Sequence, residues 1–278
     1  MPQRESWAAA SAVTQQTDGR FEGQLADGWD ILGATNGGYI LAVMAKAMAE
    51  SAGREAPATV TGHFLAPARS GPISIATTTA KAGRRLTTVR ASASADSQLL
   101  TEALGAFGAW PDPHDLQLQD GEPPTLPEPT DCLRIRSGAA TWAGPTDETP
   151  PLPPPFMDRV ELRLHPADAG FMMGEPSGHA RMRAWFRLLD DEPLDPFALI
   201  VAADCLPPTT FNAGLPIAWT PTVELTVHVR ARPAPGYVKL DYRSRFVGAD
   251  RLEVDGLIWD EDDRLIAQSR QLALVPQT

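Results

Sequence analysis

A carboxylate in an apolar run, a glycine pair at the start of a helical stretch and a basic turn are the groups here whose types and spacing could do chemistry. Asp204 stands in Ala202-Ala203-Asp204-Cys205-Leu206, just ahead of Pro207 and Pro208. Such neighbours desolvate a carboxylate and raise its pKa, which suits a general base working near neutrality. A helix C-terminus is also an unfavourable place for a negative charge, so local stability does not explain the residue. Asn36-Gly37-Gly38 opens a second helical run. Backbone N–H groups at a helix N-terminus, unobstructed by side chains, make a place for negative charge such as an oxyanion. The pair would serve equally to let the helix approach a sheet closely. Lys81, Arg84 and Arg85 cluster in the turn KAGRR, where they would hold phosphates or form a solvated hairpin tip.

Other chemistries are disfavoured. No G-x-S-x-G elbow, Walker loop or G-x-G-x-x-G occurs, and GEPSG at 174–178 has its serine misplaced. His114, His165 and His179 lack spaced Cys, Glu or Asp partners, and neither a metal nor a cofactor is expected. Cys132 and Cys205 lie far apart and read as reduced thiols. With 24 basic against 35 acidic residues, the formal charge of -11 argues against a nucleic-acid partner. An acidic chain that takes an anionic ligand must concentrate its arginines locally. No run of about 18 apolar residues is present, and MPQRESWAAASAV has no continuous apolar core, so neither a membrane span nor a secretory signal is read. A cytoplasmic location is the expectation.

The elements that must position these groups occur twice. Residues 111–156 are rich in Pro, Glu, Asp and Thr and are read as a linker without a long helix or central strand, whose mixed acidic character speaks against a polyproline ligand. On either side, 1–110 and 157–278 repeat. His63-Phe64-Leu65-Ala66 matches His228-Val229-Arg230-Ala231 at an offset of 228 − 63 = 165, and Gly71/Gly236, Ile73/Val238 and Gly83/Gly248 keep it. After one inserted residue, Asp96 to Leu100 matches Asp262 to Ile266. Each repeat has strand-like segments, then an apolar helix (38–50; 196–205, with Asp195 as N-cap and Pro196 first), then an antiparallel run of about four strands. Helices apolar nearly all round are buried. A sheet wrapped around a helix is an α+β hotdog, and two of them can hide their edges by pairing.

These segments, FEGQLADGWDILGATNGGYILAVMAKAM, VTGHFLAPARSGPI, AADCLPP, PTVELTVHVRARP and LIAQSRQLALV, resemble the acyl-CoA thioesterase II (TesB-like) family of double-hotdog enzymes. The resemblance covers most of 20–110 and 157–278. It implies a hydrolase of lipid metabolism that converts acyl-CoA to a free acid and CoA, in a homo-oligomer of double hotdogs. The family's water-orienting Asp, Thr and Gln fall on Asp204, Thr222 and Gln271, with Thr226 a near neighbour of Thr222 on the same expected face. Ala267, Ser269, Gln271 and Ala273 share one face of the last strand, so Gln271 projects from a small-residue surface. Threonine and glutamine fix a water without titrating. In the duplicated layout the start of the first helix, with the oxyanion candidate Asn36, Gly37 and Gly38, would face this set across the pseudo-twofold and make one composite site. A non-catalytic acyl-CoA or lipid-binding hotdog is the alternative.

Overall fold

The computed structural model describes residues 5–115, 118–137, 153–189 and 192–275. The first repeat opens with a short helix α1 (Trp7–Ala10), strands β1 (Val13–Thr17) and β2 (Arg20–Leu25), and a separate hairpin of β3 (Asp30–Ile31) and β4 (Ala34–Thr35). Helix α2 (Gly37–Ala52) follows, then β5 (Ala56–Phe64), β6 (Gly71–Ala82), β7 (Thr87–Ala95) and β8 (Gln98–Gly108). The proline-rich segment contributes β9 (Leu133–Ile135), and the second repeat has β10 (Val160–Leu164), β11 (Arg181–Leu188), α3 (Ala198–Ala202), β12 (Thr222–Val229), β13 (Val238–Arg243), β14 (Arg251–Trp259) and β15 (Leu265–Leu274).

Thirteen of these strands form one antiparallel sheet in the order β1-β2-β6-β7-β8-β5-β12-β15-β14-β13-β11-β10-β9. The halves of this order mirror each other about the β5–β12 seam, as a duplication joined edge to edge requires. At the seam Thr61 lies opposite Thr226. These two are also equivalent in the repeat, since 226 − 61 = 165, so the pseudo-twofold axis passes between them, where their hydroxyls hydrogen-bond at 2.8 Å. Pairing the two strands removes the edge that each repeat alone would expose.

The helices fill the concave face. On α2 the residues from Gly38 to Ala45 and from Ala47 to Ala49 are buried, which is why this stretch is apolar on every side. The second helix is much shorter than its sequence suggests. Asp195 Oδ1 accepts from the N–H groups of Phe197 (3.0 Å) and Ala198 (2.6 Å), as an N-cap should, but regular helix spans only five residues. The Ala202 carbonyl is taken by the Tyr242 hydroxyl, and the chain then leaves through Pro207 and Pro208.

The described part of the proline-rich segment packs on the second repeat. β9 pairs with β10 as an edge strand, Trp185 Nε1 donates to the Pro127 carbonyl (2.8 Å), and Gln119 exchanges bonds with Asp263 and Leu265. The second proline cluster, beginning at residue 144, lies outside the described residues up to 152. No described helix is long and apolar enough to cross a membrane.

Candidate active site

The ends of α2 and α3 meet head to tail at Asp204. Asn36 caps α2, its Oδ1 accepting from the Tyr39 N–H at 2.9 Å, and its Nδ2 donates to the Asp204 carbonyl (2.9 Å) and to Oδ2 (3.1 Å). The Gly38 N–H donates to the same Oδ2 at 2.7 Å. The glycine pair is what permits this approach. A Cβ at Gly38 would lie 2.8 Å from Asp204 Cβ and 2.8 Å from the Ile200 carbonyl oxygen, and one at Gly37 would lie 3.0 Å from Asp204 Oδ2 and the Phe64 ring.

On its other side Asp204 Oδ1 accepts from Gln271 Nε2 at 2.7 Å, and the same nitrogen donates to Thr222 Oγ1 at 2.6 Å. Gln271 comes from β15, directly across from Leu225 and Val254. Thr222 reaches it through a β-bulge: β12 pairs Leu225, Glu224 and Thr222 with Gln271, Leu272 and Ala273 in turn, and Val223 is the extra residue. The bulge reverses the side-chain alternation, so Thr222 faces the concave side with Gln271. Thr226, beyond the bulge, faces outward at the seam, bonded to Thr61 and Glu224. The three residue types inferred from the resemblance are thus brought together with Thr222 as the threonine.

Burial pushes the Asp204 carboxyl up to about 6, against the lowering effect of the Gly38, Gln271 and Asn36 donors. The carboxylate opens on a cavity of about 370 Å³ that is mostly apolar, walled by the β3–β4 hairpin, the end of β5, and the segments 204–211 and 218–223. At the hairpin tip, Leu32 lines this cavity with φ 52, a left-handed conformation in a two-residue turn that usually takes Asn or Gly. Backbone strain of this kind tends to persist where it shapes a site.

The helix N-terminus attracts negative charge as anticipated, but the charge is Asp204's own. Asn36 and Gly38 hold that carboxylate, which leaves the Gly37 N–H without a partner among the described residues, at the cavity wall. Lys81, Arg84 and Arg85 are not brought to the site. Their turn is tied by Arg54 Nη2 to the Gly83 and Arg84 carbonyls, beyond the C-terminal end of α2, so the helix's 16 residues, about 24 Å, separate it from Asn36.

The pseudo-twofold axis generates a second such position, and there every functional residue is missing. The caps Asn36 and Asp195 are equivalent, an offset of 195 − 36 = 159, which places Ala45 at the counterpart of Asp204. The bulge is repeated between Pro57 and Thr59, so Pro57 corresponds to Thr222, and Gly105, across from Val60, corresponds to Gln271. The Phe107 ring packs where a Gly105 side chain would go, and Lys46 pairs with Asp195 at 3.3 Å. Among the described residues the Asp/Thr/Gln arrangement therefore occurs once. An elevated carboxylate with a hydroxyl and an amide beside it can bind and deprotonate a water in an apolar cavity, next to a free N–H able to meet an oxyanion.

Comparison with known proteins gives the family and the fold. Profiles of the acyl-CoA thioesterase N-terminal domain and C-terminal domain match residues 25–108 and 111–275. A structure from Thermobifida fusca assigned as a thioesterase II is 28% identical, with 96% of each chain covered and a TM-score of 0.83. A hot dog fold protein of unknown function from Alicyclobacillus acidocaldarius is 22% identical over 98% of each chain, TM-score 0.82. The tesB protein of Mycobacterium avium subspecies paratuberculosis is 18% identical over 97% of this chain and 98% of its own, TM-score 0.75.

Proposed function

Because the chain belongs to the acyl-CoA thioesterase family, both of whose domains it carries in order, we propose that it hydrolyses acyl-CoA with one water activated by Asp204 and fixed by Thr222 and Gln271. The observation that carries this reading is the Gln271 amide nitrogen, which bridges Asp204 Oδ1 and Thr222 Oγ1 at the floor of an apolar cavity. Gln271 spends both its protons on these acceptors, so the Thr222 hydroxyl keeps its own proton to donate. A water that accepts from Thr222 and donates to Asp204 has a lone pair left to attack the thioester carbonyl carbon.

In that step the water oxygen bonds to carbon as its proton moves to Asp204, and the carbonyl oxygen gains the negative charge that the Gly37 N–H meets. Collapse of the tetrahedral species breaks the C–S bond, and the proton held by Asp204 passes to the departing sulfur. The net change is thioester plus water to acid plus thiol. Asn36 and Gly38 orient the base. With its carboxyl pushed up to about 6, Asp204 is ionised yet basic enough at neutral pH.

Thiol release from acyl-CoA by Thr222→Ala, Gln271→Ala and the double variant tests this reading. Each single change should lower kcat by roughly 10- to 100-fold, and the double should cost far less than the product of the two, since both act on one water. Multiplicative losses, or none, would refute a shared water. The triple change of Lys81, Arg84 and Arg85 to Ala should leave KM for acyl-CoA where it was, because that turn is remote from the cavity.

A further inference from the structure

The two repeats wrap helices of unequal length, and the difference is a space. In the first repeat α2 continues from Ala45 to Ala52, seven residues or about 10 Å past the counterpart of Asp204. In the second repeat the helix stops short of Asp204, and the chain turns away through Leu206, Pro207 and Pro208. Thr87 and Val89, buried on β7 where α2 packs on it in the first repeat, correspond to Leu252 and Val254, since Thr87 pairs with Phe107 and Val89 with Gly105 as Leu252 pairs with Ala273 and Val254 with Gln271. Leu252 and Val254 instead line the cavity.

We propose that this vacated helix position is the acyl chamber, and that its depth selects medium-length chains; the inference rests on the thioesterase reading. The chamber runs from Gln271 past Val254, its neighbour across the sheet, and is walled by Cys205, Phe211, Tyr242, Leu252 and Ala273. Each of these five is at most 6% exposed, so the wall is apolar and dry apart from the Tyr242 hydroxyl, which is spent on the Ala202 carbonyl. Leu65, Trp219 and Leu274, at 55%, 41% and 43% exposure, also line the cavity and mark where it meets solvent, the opening through which the thiol arm of CoA leaves. A carbon–carbon bond of about 1.5 Å advances an extended chain by about 1.25 Å, so about 10 Å holds roughly eight carbons.

The test is kcat/KM for the wild-type chain over straight-chain acyl-CoAs from butyryl to palmitoyl, repeated for Val254→Phe and Leu252→Ala. The chamber predicts a wild-type optimum near octanoyl. Val254→Phe should lower the octanoyl-to-butyryl ratio by about tenfold or more, as a lost buried methylene or two would, and Leu252→Ala should move the optimum to longer chains. If Val254→Phe does not fold, the Leu252→Ala shift decides. A wild-type chain that hydrolyses the series while both variants keep its length profile overturns the chamber alone. No hydrolysis of any member by the wild-type chain overturns the thioesterase reading, and the chamber with it.

Discussion

Asp204→Asn is expected to lower kcat by on the order of 10²- to 10⁴-fold with little change in KM, because it removes proton acceptance and keeps shape. The amide can keep its oxygen toward the Gly38 and Asn36 donors and turn its NH₂ to Gln271, whose own amide can flip to accept it. Folding should therefore survive, and its pH dependence gives a second readout. With the carboxyl at about 6 in the folded chain and 3.8 as its ordinary value, the folded state binds more protons than the unfolded state between those pH values. Stability from this group is thus present at low pH and lost as pH rises through that window, by on the order of 2–3 kcal/mol. The Asn variant lacks this loss. Its stability relative to the wild-type chain should increase between about pH 4 and pH 7 in denaturant titrations, and a constant difference would show that Asp204 is not desolvated.

Gly38→Ala is expected to be nearly as damaging to turnover, by a different route. The new methyl would lie 2.8 Å from both Asp204 Cβ and the Ile200 carbonyl oxygen, neither of which is a flexible chain end. The helix ends must part, which lengthens the Gly38 N–H bond to Asp204 Oδ2 and loosens the base. Overpacking of this kind costs about 1–3 kcal/mol of stability, and kcat should fall by on the order of 10²-fold as the carboxylate loses its fixed orientation. Unfolding midpoints and kcat measured on the same preparation check both effects. Wild-type turnover in Gly38→Ala would mean that the helix contact does not position Asp204.

The duplication was legible because it conserves residue type at a fixed offset, and the same offset of 165 relates the two threonines on the pseudo-twofold axis. The identities of Asp204 and Gln271 followed from the resemblance together with an apolar helix end and a small-residue strand face. Thr222 and Thr226 could not be separated by alternation, since both numbers are even and a regular strand would point them the same way. Only the extra residue Val223 turns one inward, and a bulge leaves no mark in hydrophobic periodicity. The short α3 was hidden for a similar reason: PFALIVAADC is apolar at nearly every position, so its pattern shows burial but not where the helix stops. The basic turn at Lys81 to Arg85 was recognisable as charged, but which end of α2 it would flank depends on strand direction and pairing. At Asn36 to Gly38 the helix start did mark a place for negative charge, and the sequence could not show that Asp204 would fill most of it.

Catalysis by Asp204 is tested most directly by the pH dependence of kcat for thiol release from a medium-chain acyl-CoA, measured from about pH 4.5 to 8 on the wild-type chain and on Asp204→Asn. With Asp204 as the base, wild-type kcat rises with pH through an inflection near 6, as Asp204 loses its proton, and then levels off, while the Asn variant stays low with no such limb. Near-normal turnover by folded Asp204→Asn, or binding of acyl-CoA by the wild-type chain without release of thiol at any pH, would contradict it.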